Sequence, residues 1–182
     1  MILLIGFMAS GKSSIARELA EALQVEDIDL DTLIEDKSGT TIAQLFRERG
    51  EDEFRRVETE VLREVLHQNK AGRVVATGGG IVLREENRVL LRHAAKNGTT
   101  VVYLKADPNI IAQRIRRQPG IRPVIDGDKL LNLEETRDRV MSLLEMRGPL
   151  YEESASLTID SGQGTPAEIA QEIQRQIAEG NS

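Results

Sequence analysis

Gly6-Phe7-Met8-Ala9-Ser10-Gly11-Lys12-Ser13 follows the apolar run Ile2 to Ile5 and opens an amphipathic pattern that continues to Leu23. These eight residues satisfy G-x-x-x-x-G-K-[ST] at each required position, and the run before them reads as a buried strand, the pattern after them as a helix. That context predicts a phosphate-binding loop. Glycines let backbone N–H groups close around phosphate oxygens, Lys12 can reach the β- and γ-phosphates, and the Ser13 hydroxyl suits Mg²⁺. Ala9, Ser10, Gly11, Lys12, Ser13 and Ser14 are therefore the candidate contacts to a nucleoside triphosphate.

Outward from this loop, four more apolar, β-branched runs recur at Val25 to Ile28, Val74 to Ala76, Thr100 to Leu104 and Leu157 to Ile159, with helical patterns between them. The alternation predicts an α/β protein, with a parallel five-stranded sheet between two helical layers. Phe54, Val57, Val61 and Val65 form the stripe of a helix over 51–69, and Thr165 before Pro166 marks the start of another over 165–178. Two stretches interrupt the rhythm: 32–50, read as a helical insertion on the acceptor side, and 117–133, which carries Pro119, Gly120, Pro123 and Gly127 and reads as a mobile lid.

At 182 residues the chain has the size of one domain, 1–182, able to bury roughly 70% of its unfolded surface. With no cysteine, thiolate nucleophiles and Cys-ligated metals are excluded, and two histidines alone make a zinc site improbable. A net charge of −6 with 3% aromatic residues supplies neither the basic footprint nor the stacking platforms of a nucleic-acid binder. No run approaches the length of a membrane span, and Ile2 to Ile5 is too short for a signal-peptide core, so cytoplasmic residence and no membrane partner are expected. The absence of a sustained heptad favours a monomer. In so acidic a chain, an anionic substrate must be held by locally placed arginines.

The metal and base carboxylates are expected at the second strand, which ends Asp27-Ile28-Asp29-Leu30-Asp31. Strand alternation would put the three aspartates on one face, at the strand end where α/β proteins bind ligands. One could orient metal-bound water and another accept a proton from a hydroxyl, while Asp27 suits turn solvation. Asp107 is a rival metal carboxylate, but before Pro108 it fits a helix N-cap. Gly78-Gly79-Gly80 directly follows the third strand, either as a turn or as a place where backbone approaches a ligand. Arg55, which Glu58 can hold from three residues on, Arg122 in the expected lid, and Arg147 after a helix ending near Met146 are the arginines whose position singles them out.

Together, the P-loop, Asp29-Leu30-Asp31, Gly50-Glu51 with Glu53-Phe54-Arg55-Arg56-Val57-Glu58, Gly78-Gly79-Gly80, Arg122-Pro123 and Arg147-Gly148-Pro149-Leu150-Tyr151 resemble the shikimate kinase family over nearly the whole chain. The resemblance implies a nucleoside-monophosphate-kinase-like P-loop fold with an acceptor-binding region near 32–60 and a lid near 117–133. It implies transfer of the ATP γ-phosphoryl to the 3-hydroxyl of shikimate, on the route to chorismate, with Mg²⁺ as cofactor. Carried over by position, Asp31 would hold the acceptor hydroxyls and serve as base, and Arg55 and Arg147 would bind its carboxylate. Gly78, Gly79 and Gly80 would line it, Arg122 would close on the phosphates, and Ser13 with Asp29 would serve the metal. Ser14 stands where the family usually has Thr, and the loop Ser161 to Thr165 lacks an arginine that some members place near adenine. The alternatives are a P-loop kinase for another small hydroxy acid such as gluconate, a nucleoside-monophosphate kinase, and a catalytically silent nucleotide-binding module.

Overall fold

A computed structural model describes residues 1–68, 72–117, 123–126 and 130–180. The strands are β1 (Ile2–Ile5), β2 (Glu26–Asp29), β3 (Arg73–Ala76), β4 (Thr100–Lys105) and β5 (Leu157–Asp160). All neighbours pair in parallel, in the order β2-β3-β1-β4-β5. Between them run α1 (Lys12–Leu23), α2 (Leu30–Ser38), α3 (Ile42–Gln68), α4 (Glu85–Lys96), α5 (Pro108–Arg117), α6 (Pro123–Asp126) and α7 (Leu133–Ser154), and α8 (Pro166–Gly180) follows β5. Each of the five expected strands is present.

Alternation along the strands sorts the side chains into two cores. Leu3, Ile5, Val75, Val101 and Tyr103 face a layer that includes α3, α4, α5 and α7, whereas Leu4, Val74, Ala76, Val102, Leu104 and Ile159 face α1 and α8. Chain order reverses at β1: β3 lies on one side of it and β4 on the other. In an open parallel sheet that reversal leaves a crevice at the carboxyl ends of the strands, and the P-loop opens into it.

The insertion expected at 32–50 consists of α2 and the first segment of α3. Gly50, with φ 81° and ψ 173°, breaks α3 there, so that its second segment begins at Glu51. Phe46 and Phe54 pack across the break with ring centroids 4.6 Å apart. Thr165 caps α8 through a reciprocal exchange with Glu168: its hydroxyl accepts from the Glu168 N–H at 3.3 Å, and its own N–H donates to the Glu168 carboxylate at 2.7 Å.

Two expectations need correction. The helix expected to end near Met146 continues through Pro149 to Ser154, which puts Arg147 inside α7. Leu143, Arg147, Tyr151 and Ser154 recur on its buried face, and packing that face outweighs the ~3 kcal/mol that an interior proline costs. Secondly, β2 stops at Asp29, and Asp31 lies in the first turn of α2 rather than on a strand. The expected lid is described only in part. Its Asp126 is buried and accepts from Arg116 and from the Leu131 N–H, each at 3.1 Å, whereas Pro119, Gly120, Arg122 and Gly127 lie outside the described residues.

Candidate active site

β1 delivers the chain to Gly6, whose φ of 146° and proximity to β4 exclude a side chain: a Cβ there would sit 2.7 Å from the Leu104 carbonyl oxygen. Ala9 adopts φ 60°, and Gly11, with φ 98°, starts α1. The loop curls so that Lys12 folds back over it, donating to the carbonyls of Gly6 at 2.9 Å and Phe7 at 2.8 Å. With 8% exposure, burial pulls the Lys12 ammonium down to about 8, against the opposing pull of Asp31 and Asp29. Ser10 is buried and its hydroxyl has no partner among the described residues, while Ser13 and Ser14 are exposed on the first turn of α1.

Arg114 of α5 steadies the same loop. It donates to the Ala9 carbonyl at 3.4 Å and to the Ser161 carbonyl at 2.9 Å, linking the P-loop to the turn after β5. Sequence reasoning missed this role, because Arg114 lies among Arg116 and Arg117 with no local mark to separate it from a solvated arginine.

Asp29 performs two tasks at the start of α2. One carboxylate oxygen accepts from the Asp31 N–H at 3.0 Å as a helix cap, and the other accepts from the Ser13 hydroxyl at 2.8 Å. Two hard oxygen donors at this spacing beside a phosphate loop fit Mg²⁺, which takes few protein ligands and fills its shell with water and phosphate. Among the described residues no cluster of three or more His, Cys, Asp or Glu side chains could hold a metal ion.

Asp31 is half-buried, and burial raises its carboxyl above the usual range; Asp29 adds to the rise and Lys12 opposes it. The structure thus brings Lys12, Ser13, Asp29 and Asp31 together. Asp27 is exposed and stays apart, and Asp107 caps α5 by accepting from the Asn109 N–H at 2.8 Å.

Arg55 projects from the second segment of α3 with 11% of its side chain exposed. Nη1 donates to Glu58 at 2.8 Å, as its spacing predicts, and Nε and Nη2 both donate to a single oxygen of Glu51 at 3.2 Å. Glu58 is completely buried, and burial raises its carboxyl against the pull of Arg55. Arg147 is 9% exposed and lies over the Phe7 ring at 5.6 Å. Among the described residues it has no carboxylate within ion-pair distance. A buried cation held against an aromatic face without an acid partner has charge free to pair with an anion.

Gly78, Gly79 and Gly80 are where these groups meet. A Cβ on Gly78 would sit 2.9 Å from the Asp31 carboxylate and 3.2 Å from that of Glu58; on Gly79 it would sit 2.9 Å from the Met8 nitrogen; on Gly80 it would collide with the Arg55 guanidinium. None of the three has a positive φ, so the glycines are needed for room rather than for backbone freedom. Tyr151, fully buried and stacked on Tyr103 with centroids 5.0 Å apart, donates its hydroxyl to the Gly79 carbonyl at 2.5 Å. Burial raises the pKa of that phenol, and the nearby Arg147 and Arg55 guanidinium groups pull against the rise. The contribution of Tyr151 could not be read from its sequence, since the hydrogen bond spans 72 positions.

A phosphate loop, a half-buried carboxylate beside its lysine, and two arginines across a glycine turn can hold a nucleotide and a small anionic alcohol together. The shikimate kinase family model matches residues 8–178. The shikimate kinase of Enterococcus faecalis is 39% identical over 178 residues, which cover 98% of each chain. The structure of shikimate kinase from Acinetobacter baumannii in complex with shikimate superposes with a TM-score of 0.85 at 36% identity, over 98% of this chain and 93% of that one. The enzyme from Bacteroides thetaiotaomicron superposes with a TM-score of 0.83 at 29% identity, over 97% of each chain.

Proposed function

The chain belongs to the shikimate kinase family, and from that premise we propose how its residues divide the work of transferring the ATP γ-phosphoryl group to the 3-hydroxyl of shikimate. The products are shikimate 3-phosphate and ADP. The observation that carries the reading is the half-buried Asp31 carboxylate, placed between Lys12 of the phosphate loop and the Arg55–Glu58 pair.

Arg55 and Arg147 bind the shikimate carboxylate, each charge-assisted bond contributing ~1.5–3 kcal/mol and selecting acids over neutral alcohols. Backbone of Gly78, Gly79 and Gly80 lines the ring. Asp31 accepts the 3-hydroxyl proton while that oxygen forms its bond to the γ-phosphorus and the bond to the β-bridging oxygen breaks. Its raised pKa makes it a better base than an ordinary carboxylate. Lys12 leaves the Gly6 and Phe7 carbonyls to meet phosphate oxygens and, with Ala9, Ser10, Gly11, Ser13 and Ser14, holds the triphosphate.

Ser13 and Asp29 would hold Mg²⁺ and its water, and the ion would neutralise phosphate charge. Arg122 would close onto the phosphates from the lid. The chain works as a cytoplasmic monomer on this reading, because every residue invoked comes from one chain and ATP is a cytoplasmic substrate; sedimentation with and without ligands tests the monomer.

The function itself is tested by ADP release from Mg-ATP with shikimate, gluconate, AMP or no acceptor. Release that depends on shikimate is expected. Release with gluconate or AMP in its place would overturn the acceptor assignment, and nucleotide binding without turnover would mark a silent module.

A further inference from the structure

Arg55, read above as half of the substrate clamp, already carries a carboxylate. We infer that Glu51 is a placeholder for the acceptor's carboxyl group: it takes the Nε–Nη2 edge of Arg55 and gives that edge up when an acidic substrate arrives. The inference rests on the assignment of Arg55 to substrate binding.

The two acids on Arg55 are unlike. Glu58 is completely buried and takes Nη1 at 2.8 Å, so releasing it would strand a charge in the interior. Glu51 is 60% exposed and spans Nε and Nη2 with one oxygen at 3.2 Å to each. Those two parallel N–H groups form an edge that a carboxylate grips with both oxygens. Glu51 holds it with one, in a longer and solvated contact, and an exposed pair of this kind is weak. A substrate carboxylate that also reaches Arg147 would outcompete it.

The released side chain has somewhere to go. Glu51 immediately follows the break at Gly50 and is 60% exposed, so its carboxylate can turn outward into solvent. Until then it keeps the Arg55 guanidinium extended beside Gly80 and closed to chance anions. The exchange also discriminates, since an alcohol without a carboxylate has nothing to offer Arg55 in return for Glu51.

The test is shikimate binding to the intact protein by titration calorimetry, with steady-state KM values for shikimate and ATP. Glu51→Gln should tighten shikimate about two- to fivefold, the range to which an exposed pair of ~0.4–1 kcal/mol converts, and leave the ATP KM unchanged. Asp52→Asn removes an equal charge one residue away without touching the Arg55 side chain and should change nothing. Shikimate methyl ester, which lacks the anion, should bind Glu51→Gln and the parent chain alike. Unchanged or weaker shikimate binding in Glu51→Gln would overturn the inference and leave Glu51 a helix-stabilising partner only, and equal tightening by Asp52→Asn would replace it with a general field effect. Arg55→Ala separates the two levels: if it leaves shikimate binding intact, the clamp assignment itself fails, whereas weakened binding there with no gain in Glu51→Gln defeats the placeholder alone.

Discussion

The phosphate side and the acceptor side of the crevice are built by different means. On the phosphate side, the six consecutive residues Gly6 to Gly11 between β1 and α1 shape a backbone cradle, with Gly6, Ala9 and Gly11 at positive φ and Lys12 folded onto the loop's own carbonyls. On the acceptor side, Asp31 of α2, Arg55 and Glu58 of α3, the Gly78–Gly80 turn, and Arg147 and Tyr151 of α7 converge from four places in the chain. One half is local and made mainly of backbone; the other is long-range and made of buried charges that need each other. Phosphate binding should therefore survive most changes on the acceptor side.

The sharpest way to break that separation is at Asp31, where the halves touch. Asp31→Asn should lower turnover at least ~10²-fold, as expected for loss of a general base, while ATP still binds. Its effect on stability has the opposite sign. A carboxyl whose folded pKa is raised favours the folded state fully only below its unfolded pKa and loses that benefit as pH rises through the folded value. At neutral pH the Asp31 carboxyl thus opposes folding, and Asp31→Asn should raise Tm at pH 7 and gain less at pH 4. Near-normal turnover would remove Asp31 from its role, and a lower Tm at pH 7 would show that the carboxylate is compensated.

Arg147→Ala should come next in size, raising the shikimate KM about 10- to 100-fold through loss of a charge-assisted bond of ~1.5–3 kcal/mol. The ATP KM should barely move, and parallel changes in both constants would argue against two independent halves.

The pH profile probes the phosphate side alone. With Lys12 near 8 in the unliganded chain, kcat/KM for ATP should fall on an alkaline limb around pH 8, as the ammonium is lost. An ordinary lysine, at 10.5, would carry the plateau well above pH 8. In kcat the limb should move up, because bound phosphates favour the cation. A kcat/KM limb above pH 10 would mean that burial does not control this lysine.

The same contrast explains what was legible in the sequence. The P-loop, the five strands and the cap at Thr165 are encoded within a few residues of where they act, and they appear in the structure as read. The Arg55–Glu58 pair was equally visible, being a matter of helical spacing. Asp31 does lie beside Lys12, but not by the route the pattern suggested: strand alternation was carried past Asp29, where the side-chain cap turns the chain into α2. Arg147 was misplaced because Gly148-Pro149 reads locally as a helix stop, and only the burial of Leu143, Tyr151 and Ser154 keeps the helix going. Arg114 escaped altogether, and Tyr151 was visible only as the end of a motif without a role, since their partners lie 47 to 105 positions away.

Tyr151 offers the finest test of how separate the halves are. Tyr151→Phe keeps the ring on Tyr103 and removes only the hydroxyl that donates to Gly79. One hydrogen bond is worth ~0.5–1.5 kcal/mol, which in a chain of this length lowers Tm by ~1–6 °C. Gly79 also packs against the P-loop, so closely that a Cβ on it would sit 2.9 Å from the Met8 nitrogen. If the loosened turn disturbs only the residues that hold the acceptor, the shikimate KM should rise a few-fold and the ATP KM should stay put. If the ATP KM rises with it, the Gly79–Met8 contact carries the disturbance across the crevice, and the two halves form one unit joined at that turn.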